Sequence, residues 1–236
     1  MDIVVAALVI GVLVGVAIYL RSRRAGQPER SAGTRLPVPG RAESGGPLRA
    51  AVTLETVRPG DALVFWDGRD ALVEAVLDCQ EQVGNRTVSW QWILLDNGWV
   101  IERSADGRFL YTESMLFRQG TWEFDHLTGE VEHDGVLKTF EERVREGTSS
   151  REPVYFAFGD ALYQVLSTGT FAAVPRGGTP PARPVWGDIS PDAYDNVYFG
   201  MSASDEDHAL GIWTTHIVFL QGRVLHDADL RGVYGA

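Results

Sequence analysis

The sequence predicts a mainly β fold, an antiparallel barrel or sandwich, preceded by one N-terminal transmembrane helix. Three observations support this prediction. After residue 50 the chain consists of short runs rich in β-branched and aromatic residues, separated by turn residues. The clearest hairpin signal among these runs is Asn97-Gly98, a pair that tolerates positive φ. Before residue 21 the chain instead holds one uncharged apolar run, residues 3–20, which is long enough for a single membrane span.

The apolar run has the flanks of an uncleaved membrane anchor. Its 18 residues would span about 27 Å as a helix, close to the hydrocarbon thickness of about 30 Å. Asp2 precedes the run and Arg21, Arg23 and Arg24 follow it, whereas a cleaved signal peptide carries its positive charge in front. Positive charge collects on the cytoplasmic side. The sequence therefore predicts an anchor, residues 1–20, in the cell (inner) membrane, with the N-terminus outside and the main domain in the cytoplasm.

Small residues recur every four positions within this anchor, at Ala7, Gly11 and Gly15. Small side chains on one helix face let a second helix approach closely. Homodimerisation through the anchor is therefore one interpretation. The alternative is that the spacing has no role, because Gly and Ala are common in transmembrane helices.

Residues 21–50 are rich in Arg, Gly and Pro, and we expect a disordered tether that reaches roughly 30 Å. Seven of the 21 Lys and Arg and three of the 32 Asp and Glu lie in the first 50 residues, which leaves 14 basic and 29 acidic groups, net −15, for residues 51–236. This charge disfavours a nucleic-acid partner, which requires a basic face. The Arg-rich tether can instead lie along an anionic membrane leaflet.

Residues 51–236 are expected to form one β-rich cytoplasmic domain with short strands at similar spacing. The predicted strands are 62–66, 71–77, the hairpin 90–101, then 109–112, 121–124, 154–158, 162–166, 170–174, 197–201 and 212–220. Period-two alternation places Trp90, Trp92 and Leu94 on one face of the hairpin. We expect the acidic turn 204–208 to join the last two strands, Gln221-Gly222 to form a turn, and the final residues to fray.

Two segments allow alternative interpretations. Apolar residues at 136, 140 and 144 are spaced as in a helix that ends at Gly147, whereas Asp134-Gly135 is typical of a hairpin turn. The turn signal favours the hairpin. Separately, residues 68–72 resemble residues 159–162. Such an echo is expected either of two similar halves, 51–150 and 151–236, or of two strands with similar turns.

Several motifs between residues 54 and 174 resemble those of the bacterial domain of unknown function 4178 family. The residues are Arg58-Pro59-Gly60-Asp61, Trp90-x-Trp92-x-x-Leu95-Asp96-x-Gly98, Glu102, Trp122-x-Phe124 and Glu132-x-Asp134-Gly135. The resemblance implies a membrane helix followed by a polar tether, as in many actinobacterial members. Such members tend to be encoded near small membrane proteins and a polyamine aminopropyltransferase. No activity, cofactor or catalytic residue is established for the family, so the resemblance assigns none here.

Each candidate for chemistry has a more ordinary structural interpretation. Residues 200–204 lack the second glycine of a nucleophile elbow, and the acidic turn 205–208 lacks the alternating ligands of a calcium loop. Two histidines, His126 and His133, without a cysteine partner are weak support for zinc. The lone Cys79 is expected to be buried. The sequence thus favours a protein without enzymatic activity, cofactor or metal.

The tryptophans give the remaining functional signal. Most of the seven must pack in the core, but Trp90, Trp92, Trp99 and Trp122 are candidates for a ligand or partner surface. Two functions follow. The first is a non-enzymatic interaction or accessory module of a membrane complex, with other membrane proteins as partners. The alternative is a domain that binds a polyamine or similar cation, since tryptophans beside acids suit such a ligand.

Overall fold

The computed structural model describes residues 52–104, 107–130, 134–178, Trp186, Ile189 and residues 196–235. The predicted anchor and tether lie outside the described residues. So do Ala7, Gly11 and Gly15, and the arginines Arg21, Arg23 and Arg24. Within the described ranges, no helix combines the length and apolar character needed to cross a membrane.

Antiparallel β-sheet dominates the described residues, which confirms the predicted mainly β class. The strands are β1 (Ala62–Phe65), β2 (Ala71–Val83), β3 (Arg86–Leu95), β4 (Trp99–Arg103), β5 (Arg108–Phe117), β6 (Tyr155–Phe158), β7 (Ala161–Thr170), β8 (Ala172–Pro175), β9 (Val197–Ser202), β10 (Asp207–Trp213), β11 (Ile217–Val224) and β12 (Leu230–Tyr234). They form one sheet in the order β12-β1-β2-β3-β4-β5-β11-β10-β9-β7-β6, and β8 also pairs with β2. Because no ladder between described residues joins β12 to β6, the sheet is not closed.

The sheet curls so that one of its faces encloses a core. Leu94 of β3 and Leu210 of β10 belong to one cluster, although three strands separate β3 from β10 in the strand order. The sheet must therefore bend around them, in the direction of its natural twist. Phe171 lies between β7 and β8. β7 pairs with β9 and β8 pairs with β2, so the chain at Phe171 connects two distant parts of the sheet. We call this cluster the inner core: Ala75, Leu77, Cys79, Trp92, Leu94, Val100, Tyr111, Phe171, Ala173, Trp186, Leu210, Ile212, Val218 and Leu220.

Two further clusters cover the opposite face of the sheet. The helix-side core contains Phe117, Phe124, Leu127, Val136, Leu137, Phe140, Phe156, Tyr163, Val165, Phe199, Met201, Ala209, Ile217 and Phe219. The hairpin-side core contains Leu54, Val57, Leu63, Phe65, Ala71, Val73, Val76, Ile93, Leu95, Ile101, Leu110 and Leu225. Neighbours along one strand, such as Phe219 and Leu220, enter different clusters because the central strands are buried on both faces.

A helix replaces the strand predicted at 121–124, so that prediction is wrong. Helix α1 (Trp122–Thr128) begins at Thr121, whose Oγ1 accepts a hydrogen bond from the backbone N of Phe124 at 3.4 Å. A threonine in this position satisfies one of the free N–H groups at the start of a helix. Phe124 and Leu127 then pack into the helix-side core.

The hairpin favoured for the following segment is also wrong. Residues 136–146 form helix α2 (Val136–Glu146), which ends at Gly147 with φ +72°. Val136, Leu137 and Phe140 are buried against the sheet. The helical spacing of these apolar residues, rather than the turn signal before them, therefore corresponds to the structure. Asp134 forms an ion pair with Lys138, one helical turn later.

The hairpin predicted at Asn97-Gly98 is confirmed. Strands β3 and β4 pair across it, and Gly98 has φ +92°. Trp92 and Leu94 lie in the inner core, and Trp90 packs against it, as the alternation predicted. The two echoing stretches, 68–72 and 159–162, each lie at the turn of a hairpin, β1–β2 and β6–β7 respectively.

The predicted arrangement of the C-terminal strands is wrong in three details. The acidic turn joins β9 to β10, and a second turn at 214–216 divides the predicted strand 212–220 between β10 and β11. Gln221-Gly222 lies inside β11, where it pairs with β5. Residues 230–234 do not fray, because β12 pairs with β1 in a register that places Tyr234 opposite Ala62. This pairing covers an edge of β1 that would otherwise expose unpaired backbone groups.

Candidate functional site

The four tryptophans predicted as a ligand or partner surface do not lie together. Trp92 is fully buried in the inner core, and the partly buried Trp90 packs beside it. Trp99 packs on the opposite face of the sheet, against the hairpin-side core, where the guanidinium of Arg69 lies 4.5 Å from its ring. Trp122 begins α1 and is 62% exposed. The structure therefore divides the predicted surface into an interior pair and two separate residues.

The interior pair belongs to a cluster of four aromatic rings. The ring centroid of Trp90 lies 6.1 Å from Trp92, 5.8 Å from Phe171 and 5.3 Å from Tyr198. Trp92 and Phe171 are 5.0 Å apart in an edge-to-face arrangement. Such contacts stabilise a core by about 0.5–1.5 kcal/mol per pair beyond the area that they bury. We call these four residues the aromatic cluster.

Glu102 lies directly beside this cluster because the register of the β3–β4 hairpin opposes it to Trp92. The indole Nε1 of Trp92 donates a hydrogen bond to Glu102 Oε2 at 3.4 Å. Burial raises the pKa of Glu102 to about 7, and the Trp92 hydrogen bond opposes this increase. The carboxyl group thus titrates near neutral pH, unlike an exposed glutamate.

A second carboxylate, Glu81 of β2, borders the aromatic cluster on another side. The hydroxyl of Tyr198 donates to Glu81 Oε2 at 2.8 Å. Burial raises the pKa of Glu81, whereas this hydrogen bond lowers it, and burial together with the charge of Glu81 raises the pKa of Tyr198. A Cβ at Gly169 would lie 2.1 Å from Glu81 Oε1 and 2.9 Å from the Tyr198 ring. Glycine at this position therefore makes room for the pair.

The thiol of Cys79 also lies in the inner core and is 1% exposed, which confirms the predicted buried thiol. Its Sγ contacts the Leu77 carbonyl oxygen at 3.8 Å. Burial raises the pKa of Cys79 well above its ordinary value, and the charge of Glu102 adds to this effect. The thiol is therefore protonated at neutral pH, unlike a catalytic thiolate.

The two carboxylates beside the aromatic cluster offer favourable contacts to a positive charge. In the described part of the chain, neither Glu81 nor Glu102 forms an ion pair with Lys or Arg. Carboxylates and the faces of aromatic rings both attract positive charge, most strongly where water is excluded. These carboxylates and rings can therefore recognise an ammonium group by charge and by cation–π contact.

A chain of polar side chains crosses the opposite face of β2, β3 and β4. Arg176 donates to Asp78 through Nε at 3.2 Å and Nη2 at 2.7 Å, and Gln91 Nε2 donates to Asp78 Oδ1 at 3.0 Å. Arg103 donates to Gln91 Oε1 at 3.2 Å and to Glu55 Oε1 at 2.9 Å. These contacts hold Glu55, which precedes β1, and Arg176, which follows β8, against the sheet.

A cavity of about 440 Å³ lies over this polar chain. Its lining consists of Asp78, Cys79, Gln80, Ser89, Trp90, Gln91, Arg103 and Ser104. The guanidinium of Arg103 and the carboxylate of Asp78 are both engaged in the polar chain. The cavity is therefore a polar groove whose charges are already balanced within the protein.

The remaining predicted candidates do not form a site in the described residues. The acidic turn is held by its own hydrogen bonds, such as Ser204 Oγ to Asp207 Oδ2 at 2.9 Å. Gly200 lies within β9, so the 200–204 segment is not a strand-to-helix turn. His126 is on α1, and His133 lies outside the described residues. Among the residues described, no three His, Cys, Asp or Glu side chains come together as metal ligands.

No family model, curated protein or solved structure matches the chain. The resemblance to the bacterial domain of unknown function therefore stays a prediction based on its motifs.

Proposed function

We propose that this chain is a single-pass membrane protein whose β-rich domain lies in the cytoplasm and acts as a non-enzymatic interaction module, an accessory subunit of a membrane complex. The apolar run 3–20 and the arginines after it support the anchor and its orientation. The Ala7, Gly11 and Gly15 spacing supports pairing of two anchors. For the domain, the observation that carries the proposal is a sheet edge on which no further described strand pairs, flanked by exposed apolar side chains.

This edge is strand β6, the last in the strand order, which pairs only with β7 among the described strands. Its sequence, Tyr-Phe-Ala-Phe, carries no charge that would oppose another strand. On one face Tyr155 is 44% exposed and Leu162 of β7 is 57% exposed. Beyond the other face, the ring of His126 lies 5.9 Å from Phe156 and stacks at 4.7 Å on the exposed Trp122.

We call Trp122, His126, Tyr155 and Leu162 the edge surface. An extended segment can add to a free strand edge through backbone hydrogen bonds, while neighbouring apolar side chains provide specificity. The edge surface offers both features. Its partner is therefore expected to be an extended segment of another membrane protein, with apolar side chains at alternate positions.

Replacing Trp122 by Ala is expected to lower the recovery of the partner at least tenfold after cross-linking in native membranes. An exposed tryptophan is among the residue types whose loss weakens interfaces most. Val88→Ala is the control, because Val88 is also exposed, at 46%, but lies in β3, away from both ends of the strand order. Equal recovery from both variants would contradict the proposal, as would full complementation of a deletion by residues 51–236 without the anchor.

A second function, binding of a polyamine or similar cation, is favoured by the aromatic cluster between Glu81 and Glu102. Net charge of −15 on residues 51–236 would attract such a ligand. The ligand amines would interact with the two carboxylates and with the face of Trp90, the partly buried ring of the cluster.

Spermidine titration in low salt is expected to change tryptophan fluorescence and raise the melting temperature if this second function holds. A ligand that binds only the folded state raises stability with its concentration. The double variant Glu81→Gln, Glu102→Gln should lose the response, whereas Glu141→Gln on α2 should keep it. Absence of any response at millimolar spermidine would reject this function.

A further inference from the structure

The end of the sheet opposite β6 exposes an apolar face. In β1, Leu63 and Phe65 are buried in the hairpin-side core. Because side chains alternate along a strand, Ala62 and Val64 point to the other face, and Trp66 follows β1 directly, at the start of the turn. Trp66 is 67% exposed.

The neighbouring strands extend this face. Ala62 lies opposite Leu72 of β2 on one side and opposite Tyr234 of β12 on the other. Residues directly opposite each other in antiparallel strands have side chains on the same face of the sheet. Leu72 is 51% exposed and Tyr234 is 55% exposed. We call Ala62, Val64, Trp66, Leu72 and Tyr234 the terminal face.

Cationic and amphipathic groups border the terminal face. The guanidinium of Arg231 lies 5.7 Å from the centre of the Trp66 ring, and within the described ranges no carboxylate forms an ion pair with it. Arg69 at the β1–β2 turn does not belong to this border, because it is paired with Asp67 and lies over Trp99 on the opposite face. Trp, Tyr and Arg beside an apolar patch are the side chains that proteins place at the headgroup level of a bilayer.

The chain also enters the domain at this end. Leu54 and Val57 pack in the hairpin-side core, on the opposite face of the same strands β1 and β2. From there, about thirty residues lead back to the apolar run 3–20, a distance that a flexible coil spans with roughly 30 Å root-mean-square. A domain on such a tether stays within reach of the membrane surface.

Charge favours one orientation of the domain on that surface. Residues 51–236 carry net −15, so most of the domain surface is repelled by an anionic leaflet. Arg231, which pairs with no carboxylate among the described residues, and the uncharged strand positions of the terminal face avoid this repulsion. A lipid surface therefore fits this face better than it fits other parts of the domain.

We propose that the terminal face is a membrane-contact surface, which docks at the headgroup region of the leaflet next to the anchor. This inference rests on the proposed membrane anchoring. The tether raises the local concentration of the lipid surface to the millimolar range or above. A contact that is too weak to recruit the free domain is then sufficient to hold and orient the anchored one.

The test uses the full chain in phosphatidylglycerol-containing vesicles, with Leu72→Cys labelled by a polarity-sensitive fluorophore. The native Cys79 is buried and does not compete for label. We expect at least twofold quenching by spin-labelled lipid, and loss of most of it when Trp66→Ser and Arg231→Ser are added. Leu162→Cys, at 57% exposure on the opposite end of the sheet, is the matched control and should show little quenching.

Alkaline carbonate extraction distinguishes failure of the proposed anchor from failure of the proposed membrane-contact surface. If the chain is extracted from the vesicles, the proposed anchoring is wrong. If the chain stays in the membrane and the label at 72 is quenched no more than the label at 162, the membrane-contact surface is overturned while the anchor stands. Protection of position 72 in native membranes, but not in pure lipid, would indicate a protein on this face and would also overturn the inference.

Discussion

Replacing Glu102 by Gln is expected to raise the free energy of unfolding by about 3 kcal/mol at pH 8, and to change it little at pH 4. The pKa of Glu102 is about 7 in the folded protein because of burial, against an ordinary value of 4.5. The folded state thus binds this proton more tightly than the unfolded state. The stability that the neutral carboxyl contributes is complete below pH about 4.5 and is lost as pH rises through about 7.

Glutamine keeps the shape of the side chain and an oxygen that can accept the Trp92 hydrogen bond, but it never ionises. Urea unfolding followed by tryptophan fluorescence between pH 4 and 9 measures the effect. Glu141→Gln, an exposed site on α2, controls for the loss of one negative charge. Parallel pH profiles for Glu102→Gln and the wild-type chain would show that Glu102 ionises freely and that this prediction is wrong.

Replacing Phe219 by Ala is expected to cost about 3–5 kcal/mol of stability, the usual range for a buried phenylalanine. Phe219 is 0% exposed in the helix-side core. Its ring centroid lies 5.2 Å from Phe117, 4.9 Å from Phe158 and 5.7 Å from Phe156. Alanine would remove contacts with all three rings and leave a cavity that these rigid side chains cannot fill.

The urea midpoint of the Phe219→Ala variant should therefore fall sharply, with an unchanged dependence on denaturant. Leu162→Ala is the matched control, since its exposed side chain leaves no cavity and should change stability by less than about 0.5 kcal/mol. A loss below about 1 kcal/mol for Phe219→Ala would mean that the three rings do not pack around it as described.

Sequence patterns predicted the strands well where a local signal determined them. Alternation identified the inward face of Trp90, Trp92 and Leu94, and Asn97-Gly98 placed the turn. They failed at 136–146 because two local signals conflicted, and burial of Val136 and Phe140 against a distant sheet favoured the helix. Local patterns do not contain that tertiary contact.

The carboxylates beside the aromatic cluster could not be predicted in the same way. A two-residue turn at Asn97-Gly98 would oppose Trp92 to Arg103, whereas the observed register opposes it to Glu102. A shift of one residue exchanges the faces of a strand. Whether Arg103 or Glu102 lies beside Trp92 therefore depends on the length of the turn. The hydrogen bond from Tyr198 to Glu81 spans 117 positions of sequence, and no local pattern indicates it.

The strand order also has a consequence for biosynthesis. β1 lies between β2 and β12, and β5 lies between β4 and β11. During synthesis, each of the two strands therefore has one unpaired edge until β12 or β11, respectively, has been translated. Folding of such non-local pairings is slow, and the waiting edges can pair with other nascent chains. With the proposed anchor inserted first, these edges would be concentrated at the membrane surface. We therefore expect the newly made domain to depend on chaperones until its last strand has been synthesised.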